Sequence, residues 1–278
     1  MTAPGGGSSA SARTFGLVGS GTMLPGRWII ATQVELAAAT QAQIDSRSLA
    51  HAQALVQRIV AERHDRPSLV SRIAIEVGAE IIEGIRQPGD DLNSVELSKR
   101  YRTSRTPIRE ALMLLEKEGL VDVPPRKRPR VASPGLDEIR EIYRARATLF
   151  AMVAAETARS IDQAGLDRLR AGFREMELAY RAGDFNAFVW ANVDFYELNT
   201  QLAGNLTVKR ILDSLLLRTA RLRRLSLARP GRMARSYDDH ARLIAAYEDR
   251  DAQLAAALIQ SNHINALAAL ESHLAPEA

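Results

Sequence analysis

Two arginines near the middle of the chain have the side-chain type and spacing needed to bind an anion outside the protein. Arg105 and Arg109 lie four residues apart in SRTPIREALMLLEKEG, residues 104–119. Residues at this spacing share one side of a helix, and Pro107 between them is tolerated in a first helical turn. Thr106 is the expected N-cap. The positive end of the helix dipole does not stabilise an arginine, which favours an external anion as partner, although a solvated surface helix fits this stretch equally well.

The neighbouring elements predict how these arginines are positioned. Apolar residues in the same segment recur at the spacing of a helix docked on a core, at Ile108, Ala111, Leu112 and Leu115. A short helix, NSVELSKRY, precedes it with Asn93 or Ser94 as cap, and the turn RTS separates the two. In a helix-turn-helix of this kind the second helix places its N-terminal side chains on DNA bases. GLVDVPPRKRPRV then predicts strand, basic tip and strand, and a basic wing beside such a helix indicates nucleic-acid binding.

The remainder of the chain divides into an extension and a helical bundle. Residues 1–65 are Gly/Ser-rich and then Ala-rich, which predicts a partly disordered extension with at most a loosely attached helix or two. Residues 68–133 form the expected winged helix-turn-helix domain. After the linker ASPG, residues 136–275 contain six predicted helices and no strand-like alternation, which indicates an all-α bundle. These six helices are expected at 136–159, 163–182, 184–203, 206–228, 232–249 and 251–274.

Composition excludes several other classes of protein. The chain has 278 residues, a net charge of +4 and no cysteine, so disulfides, thiolate zinc sites and cysteine nucleophiles are excluded. No apolar run approaches the ~20 residues of a membrane helix, and the N-terminus lacks the pattern of a secretory signal. We therefore expect a cytoplasmic protein with no membrane association.

Two long stretches resemble a known family. Residues 71–131 resemble the winged helix of the GntR family of bacterial transcription regulators, through QPGDDL, VELSKRY, TSRTPIREALMLLEKEGLV and the closing RV. The bundle resembles the FCD ligand-binding domain of the FadR-like branch, through IYRARATLFAMVAAETA, FYELNTQLAGN, YDDHARLIAAYEDRD and a helix carrying His263. The resemblance implies a mostly α fold and a ligand-responsive DNA-binding regulator, a repressor, that binds a near-palindromic operator in double-stranded DNA as a homodimer. It leaves the first 70 residues unexplained.

The resemblance also implies which residues contact DNA. They are Ser104, Arg105, Thr106 and Arg109 in the recognition helix, and Lys127 and Arg128 in the wing. Arg105 and Arg109 are of the type that reads guanine bidentately, whereas the other residues mostly hold phosphates. The wing has Arg128 where the family usually has glycine, and the short helix has Val95 at an often basic position. These departures indicate an operator preference different from that of better-known relatives.

In the bundle, the resemblance implies a site for a small carboxylate effector. The family often builds a metal site there from an acidic residue, a histidine one turn later and two histidines on later helices. This chain has Asn192, Tyr196, His240 and His263 at those positions. Asn192, His240 and His263 are candidate ligands of Zn, Ni or Mn, but Tyr196 is a poor replacement for imidazole, so water or ligand oxygens are the alternative. Arg146 matches a pocket-facing position and suits a carboxylate, the alternative being a structural ion pair.

Two other functions are alternatives to that of a transcription regulator. A metal-dependent enzyme built on His240 and His263 is one, but the chain has no G-x-S-x-G, H-E-x-x-H or phosphate-loop motif. A non-specific nucleic-acid-binding protein is the other, and it predicts equal affinity for any duplex, whereas two base-reading arginines predict a preferred site. The sequence therefore favours a regulator that is not an enzyme.

Overall fold

The computed structural model describes residues 46–61 and 68–274. All of these residues belong to one compact unit. The Gly/Ser-rich part of the predicted extension therefore lies outside the described residues. The described ranges contain ten helices and one two-stranded sheet. The helices are α1 Ser46–Ala61, α2 Leu69–Ile82, α3 Ser94–Arg100, α4 Arg105–Lys117, α5 Leu136–Ser160, α6 Gln163–Ala182, α7 Phe185–Leu202, α8 Leu206–Leu227, α9 Arg232–Glu248 and α10 Ala252–Leu274.

Helices α2 to α4 and a short hairpin form a winged helix-turn-helix, as the sequence predicts. The strands β1 Val121–Asp122 and β2 Arg130–Val131 pair antiparallel. The side chain of Asn93 accepts a hydrogen bond from the amide of Val95, so Asn93 is the N-cap of α3. This satisfies one of the amides that have no partner within a helix terminus.

The recognition helix α4 begins two residues earlier than the sequence predicts. Its N-cap is Ser104 rather than Thr106, and the Ser104 side chain makes no capping hydrogen bond. Pro107 consequently occupies the third helical position, which is still within the first turn, where a missing N–H has no partner to lose. The prediction of Thr106 as cap was wrong because the sequence S-R-T-P offers two capping residues, and proline is tolerated throughout the first turn.

The six helices α5 to α10 form the predicted bundle, with ends within two residues of those expected from the sequence. Asp162, Asp184 and Asn205 cap α6, α7 and α8 by accepting a hydrogen bond from the amide three residues on. Helices α5 and α10 form the most extensive helix pair. Packing all six around one core places the inward side chains of α5, α7, α8, α9 and α10 close together. None of the described helices is long and apolar enough to cross a membrane.

Helix α1 differs from the loosely attached extension expected from the sequence. It buries Leu55, Val56, Ile59 and Val60, each at most 6% exposed. It packs along α2 and also contacts α7 and α8, and Arg58 forms an ion pair with Glu197. Helix α1 thus shares the core of the DNA-binding domain, although the predicted boundary near residue 65 places it outside that domain.

Candidate functional site

The N-terminal end of α4 presents the residues implied in DNA contact to solvent. Ser104, Arg105, Thr106 and Arg109 are all exposed. The opposite face of the helix is fixed in the core, with Ile108, Ala111, Leu112 and Leu115 fully buried. Among the described residues, no ion pair includes Arg105 or Arg109. Two guanidinium groups are therefore held on a rigid helix with their donors available to an external acceptor.

The wing extends this basic surface. Lys127 and Arg128 are exposed between β1 and β2, and Arg126 in the same tip has a positive φ of 59°. Asp91 accepts a hydrogen bond from Arg130 at 2.9 Å and lies 3.7 Å from Arg128. These exposed pairs contribute little stability, but both place an arginine of the hairpin next to Asp91. The small domain therefore has two exposed basic regions, the tip of the hairpin and the start of α4.

The structure brings the five implied effector residues together inside the bundle. Asn192 Nδ2 lies 3.4 Å from His240 Nε2. The Tyr196 ring lies between the rings of His240 and His263, at centroid distances of 5.3 and 5.2 Å. Arg146 lies over the Phe150 ring, which stacks on His263. All five residues, which the resemblance implies, are buried in the bundle.

The two histidines are held neutral and in the same tautomer. His240 Nδ1 lies 2.6 Å from the carbonyl of Ser236, and His263 Nδ1 lies 2.9 Å from the carbonyl of Ile259. A carbonyl oxygen only accepts, so Nδ1 carries the proton and Nε2 is left with a lone pair. Burial lowers the pKa of His240 to about 4 and lowers that of His263 well below its usual value. Both imidazoles therefore offer Nε2 as a hydrogen-bond acceptor.

The same cavity contains two arginines that the sequence analysis did not select. Arg223 of α8 and Arg232 of α9 line it together with Arg146 of α5. Arg223 donates to Asn192 Oδ1 at 3.3 Å and lies over the Tyr196 ring at 5.0 Å from its centroid. Burial, as the largest cause, lowers the pKa of all three guanidinium groups, that of Arg146 to about 9. The pocket is strongly electropositive.

Several donors on the cavity wall lack a partner within the protein. They are Arg146 Nε, Arg232 Nε and Nη1, and the hydroxyl groups of Ser226 and Ser236. No ion pair among the described residues includes Arg146, so its alternative role as half of a structural ion pair has no support there. Buried donors without acceptors are costly, which indicates that an acceptor from outside the chain completes the site.

The residues at the positions of the implied metal site do not fit a divalent metal ion. Tyr196, whose pKa burial raises to about 12, keeps its proton and donates it to Asn262 Oδ1 at 3.3 Å. Asn192 Oδ1 is occupied by the Arg223 guanidinium, which would repel a cation. In the described part of the chain, no group of three or more histidine or acidic side chains is placed to hold a metal. Two histidine Nε2 atoms remain, fewer than a stable Zn, Ni or Mn site requires.

A second buried polar cluster joins the DNA-binding domain to the bundle through α1. Ser48 donates to Glu83 Oε2 at 2.8 Å, and Trp190 Nε1 donates to the Ser48 hydroxyl at 2.8 Å. Arg224 of α8 lies 3.2 Å from the Glu83 carboxylate, whose side chain is fully buried. We call Ser48, Glu83, Trp190 and Arg224 the junction cluster. It links α1, α2, α7 and α8 in one hydrogen-bonded group.

Comparison with known proteins identifies the class that this fold and these two sites define. Residues 69–131 match the model of bacterial regulatory proteins of the gntR family, and residues 141–266 match the FCD domain. YdhC of Bacillus subtilis, an HTH-type transcriptional regulator, is 31% identical over 134 residues, which are 48% of this chain and 60% of that relative. RspR of Escherichia coli K12, an HTH-type transcriptional repressor, is 23% identical over 172 residues, 62% of this chain and 75% of that protein.

A solved structure agrees on the fold. The structure of E. coli McbR/YncC aligns with a TM-score of 0.63 at 20% identity and covers 75% of this chain and 99% of that one. The chain is thus a helix-turn-helix protein with a helical ligand domain. It belongs to the GntR family and carries a C-terminal FCD domain. The family and the relatives are transcription regulators, which confirms the expectation of a regulator rather than an enzyme.

Proposed function

We propose that the protein is a cytoplasmic, ligand-responsive repressor that binds a near-palindromic operator as a homodimer. Residues 68–133 supply DNA binding, and residues 136–275 supply effector binding and dimerisation. A small carboxylate metabolite in the bundle changes the affinity for DNA. The transcription repressor named among the relatives supports the sign of regulation, and the family match supports the division of roles.

The observation that carries the DNA-binding proposal is the exposed start of α4. Arg105 and Arg109 project from a helix fixed on its other face, and no acidic side chain of the described residues pairs with them. Arginine in this position reads guanine O6 and N7 in the major groove. Lys127 and Arg128 in the wing, with Ser104 and Thr106 at the helix start, would hold the phosphate backbone. One such domain contacts few base pairs, so two copies related by a two-fold axis are expected on a site with matching symmetry.

The effector proposal rests on the pocket in the bundle. Arg146, Asn192, Tyr196 and His263 line it, and His240 lies directly behind Asn192 and Tyr196. The unpartnered Arg146 Nε is available to a carboxylate oxygen. A charge-assisted hydrogen bond from a buried arginine is among the stronger contacts that a protein offers an acid.

Selection of bound fragments from random duplex DNA, followed by gel-shift titration, tests the DNA-binding part. The expected result is an enriched near-palindromic site that also occurs upstream of the regulated gene. The Arg105→Ala variant should bind this site more weakly than the wild type. Equal affinity for unselected duplex would instead indicate a non-specific nucleic-acid-binding protein. Sedimentation of the full chain on the selected site tests the dimer, and monomers alone, with and without DNA, would contradict it.

A further inference from the structure

The effector cavity contains more positive charge than a single carboxylate neutralises. The guanidinium groups of Arg146, Arg223 and Arg232 come from three different helices and line one cavity. They are 2%, 8% and 7% exposed. None of them belongs to an ion pair among the described residues. Such convergence is costly, because each buried ion loses hydration that an opposite charge and added hydrogen bonds must replace.

The acidic groups near this cavity offset part of that charge. Burial lowers the pKa of Arg232, and Asp239 offsets part of this shift; Asp239 Oδ2 also accepts a hydrogen bond from Asn262 at 2.9 Å. Asp194 likewise offsets part of the lowering of the Arg223 pKa that burial causes. Neither aspartate lies within ion-pair distance of these guanidinium groups, so among the described residues all three lack a direct carboxylate partner. A ligand with two negative charges would offset more of this positive charge than a monoanion.

The free donors indicate the same kind of ligand. Arg146 Nε, on α5, and Arg232 Nε and Nη1, on α9, are unpartnered, as are the hydroxyl groups of Ser226 and Ser236. Guanidinium groups only donate, so the ligand atoms that meet them must be acceptors. Because these donors belong to separate helices, a ligand with acceptors on more than one side satisfies them better than a single carboxylate.

The size of the cavity limits the ligand. Its free volume is about 30 Å³, and a second cavity of about 20 Å³ lies against Arg146 and Arg223. Volumes of this order hold one or two waters, so any ligand larger than a few atoms displaces side chains. Long acyl chains and sugars are therefore disfavoured.

We propose that the effector is a small dianion, a short dicarboxylate or inorganic phosphate, bound by Arg146, Arg223 and Arg232 without a metal ion. This rests on the proposed regulatory function and names the ligand class of its pocket. Arg223 supplies, beside Asn192 and Tyr196, the positive charge that a metal would bring to this position. Binding of a dianion without a metal thus explains both why Asn192 and Tyr196 do not fit a metal ion and why the cavity contains three arginines.

The test measures anion binding to metal-free protein. The full chain is treated with a chelator and titrated calorimetrically at constant ionic strength with malonate, succinate and inorganic phosphate, and with acetate and propionate as monoanions. We expect at least one dianion to bind about tenfold more tightly than either monoanion, a difference of about 1.4 kcal/mol. The dicarboxylate and phosphate arms identify which dianion the pocket prefers.

Variants assign the binding to the pocket. Arg223→Gln is expected to remove most of the preference for the dianion. Arg210→Gln, on the exposed side of the same helix, is the matched control and should retain it. Circular dichroism establishes that each variant is folded. If Arg223→Gln is unfolded, Arg223→Lys, which keeps the charge but not the planar geometry, replaces it and is expected to bind the dianion more weakly than the wild type.

The outcomes separate this inference from the proposed function. Equal affinity for monoanions and dianions, binding only after Zn, Ni or Mn is added, or no binding of any dianion at millimolar concentration would each overturn the dianion inference. None of these would affect specific operator binding in the gel-shift experiment. Conversely, dianion binding by a protein that shows no preferred DNA site would refute the regulator and leave the pocket assignment intact.

Discussion

Replacing Val56 with aspartate should destabilise the DNA-binding domain, although residue 56 lies outside the matched winged helix. Val56 is fully buried, and its Cγ1 would lie 3.1 Å from a Cβ added at Gly78 of α2. The loss of a buried valine costs about 1.5–3 kcal/mol, and a carboxylate placed there loses several kcal/mol of hydration or becomes protonated. We expect a total of about 4 kcal/mol or more, a large part of the roughly 5–15 kcal/mol that typically stabilises a protein.

Urea unfolding followed by circular dichroism measures this loss. Gln57→Asp is the matched control, because the same residue is introduced one position along on the exposed face of α1. Its effect should stay within about 0.5 kcal/mol. Equal unfolding midpoints for the two variants would refute the conclusion that α1 shares the core of the DNA-binding domain.

The same variant should weaken operator binding, since the recognition helix meets α1 at the same point. Leu115 Cδ2 of α4 would also lie 3.1 Å from a Cβ at Gly78, so α1, α2 and α4 pack against one another there. Gel-shift titration of Val56→Asp should show a lower active fraction or affinity, whereas Gln57→Asp should bind as the wild type does.

Three further predictions concern the two sites and their connection. Arg105→Ala should cost about 1–3 kcal/mol per half-site and relax base preference, whereas Arg128→Ala should weaken all sequences similarly and flatten the salt dependence of binding; identical behaviour of the two in gel shifts would contradict the division of roles. Burial lowers the pKa of His240 from its usual value near 6.5 to about 4. Between these two pH values the unfolded state binds a proton that the folded state does not, so the folded protein loses stability as the pH falls from 6.5 towards 4. Lowering the pH from about 7.5 to about 5.5 should cost about 1.4 kcal/mol through this histidine, and His240→Gln should reduce that pH dependence in urea unfolding. The double variant Glu83→Gln with Arg224→Gln leaves no unpaired buried charge in the junction cluster; it should bind operator and anion separately but lose most of the effect of the anion on operator affinity in gel shifts.

The sequence predicts most of the fold because the residues that end and begin the helices are of recognisable types. Gly183, Gly204 and Gly231 adopt positive φ angles between bundle helices, and capping Asp or Asn residues follow two of them. Helix α1 was underestimated for a physical reason. Its alanine-rich composition suggests little burial, and only its packing against α2, α7 and α8 decides which face is inside.

The candidate site could be predicted in part. The resemblance selects Arg146, Asn192 and the two histidines, and all four are buried in the bundle. Arg223 and Arg232 were missed because an arginine-rich segment is typical of a solvated face. A signal was present, since Thr219, Arg223, Ser226 and Leu227 recur at the spacing of one helical stripe, and all four are buried. A charged residue within such a stripe is normally assigned to the solvent-exposed face. Only the tertiary contacts show that Arg223 is buried.

Two consecutive residues of α8 connect the pocket with the DNA-binding domain. Arg223 faces the effector cavity and has no carboxylate partner, whereas Arg224 lies against the buried Glu83, the C-cap of α2. Helix α2 in turn packs on the recognition helix α4. A ligand shifts an equilibrium only by its difference in affinity for two states, so an anion that binds Arg223 affects DNA binding to the extent that α8 occupies different positions in those states. Because Arg224 is on the same rigid helix, such a difference also acts on the Arg224–Glu83 pair, and by reciprocity operator binding changes the affinity for the anion by the same factor.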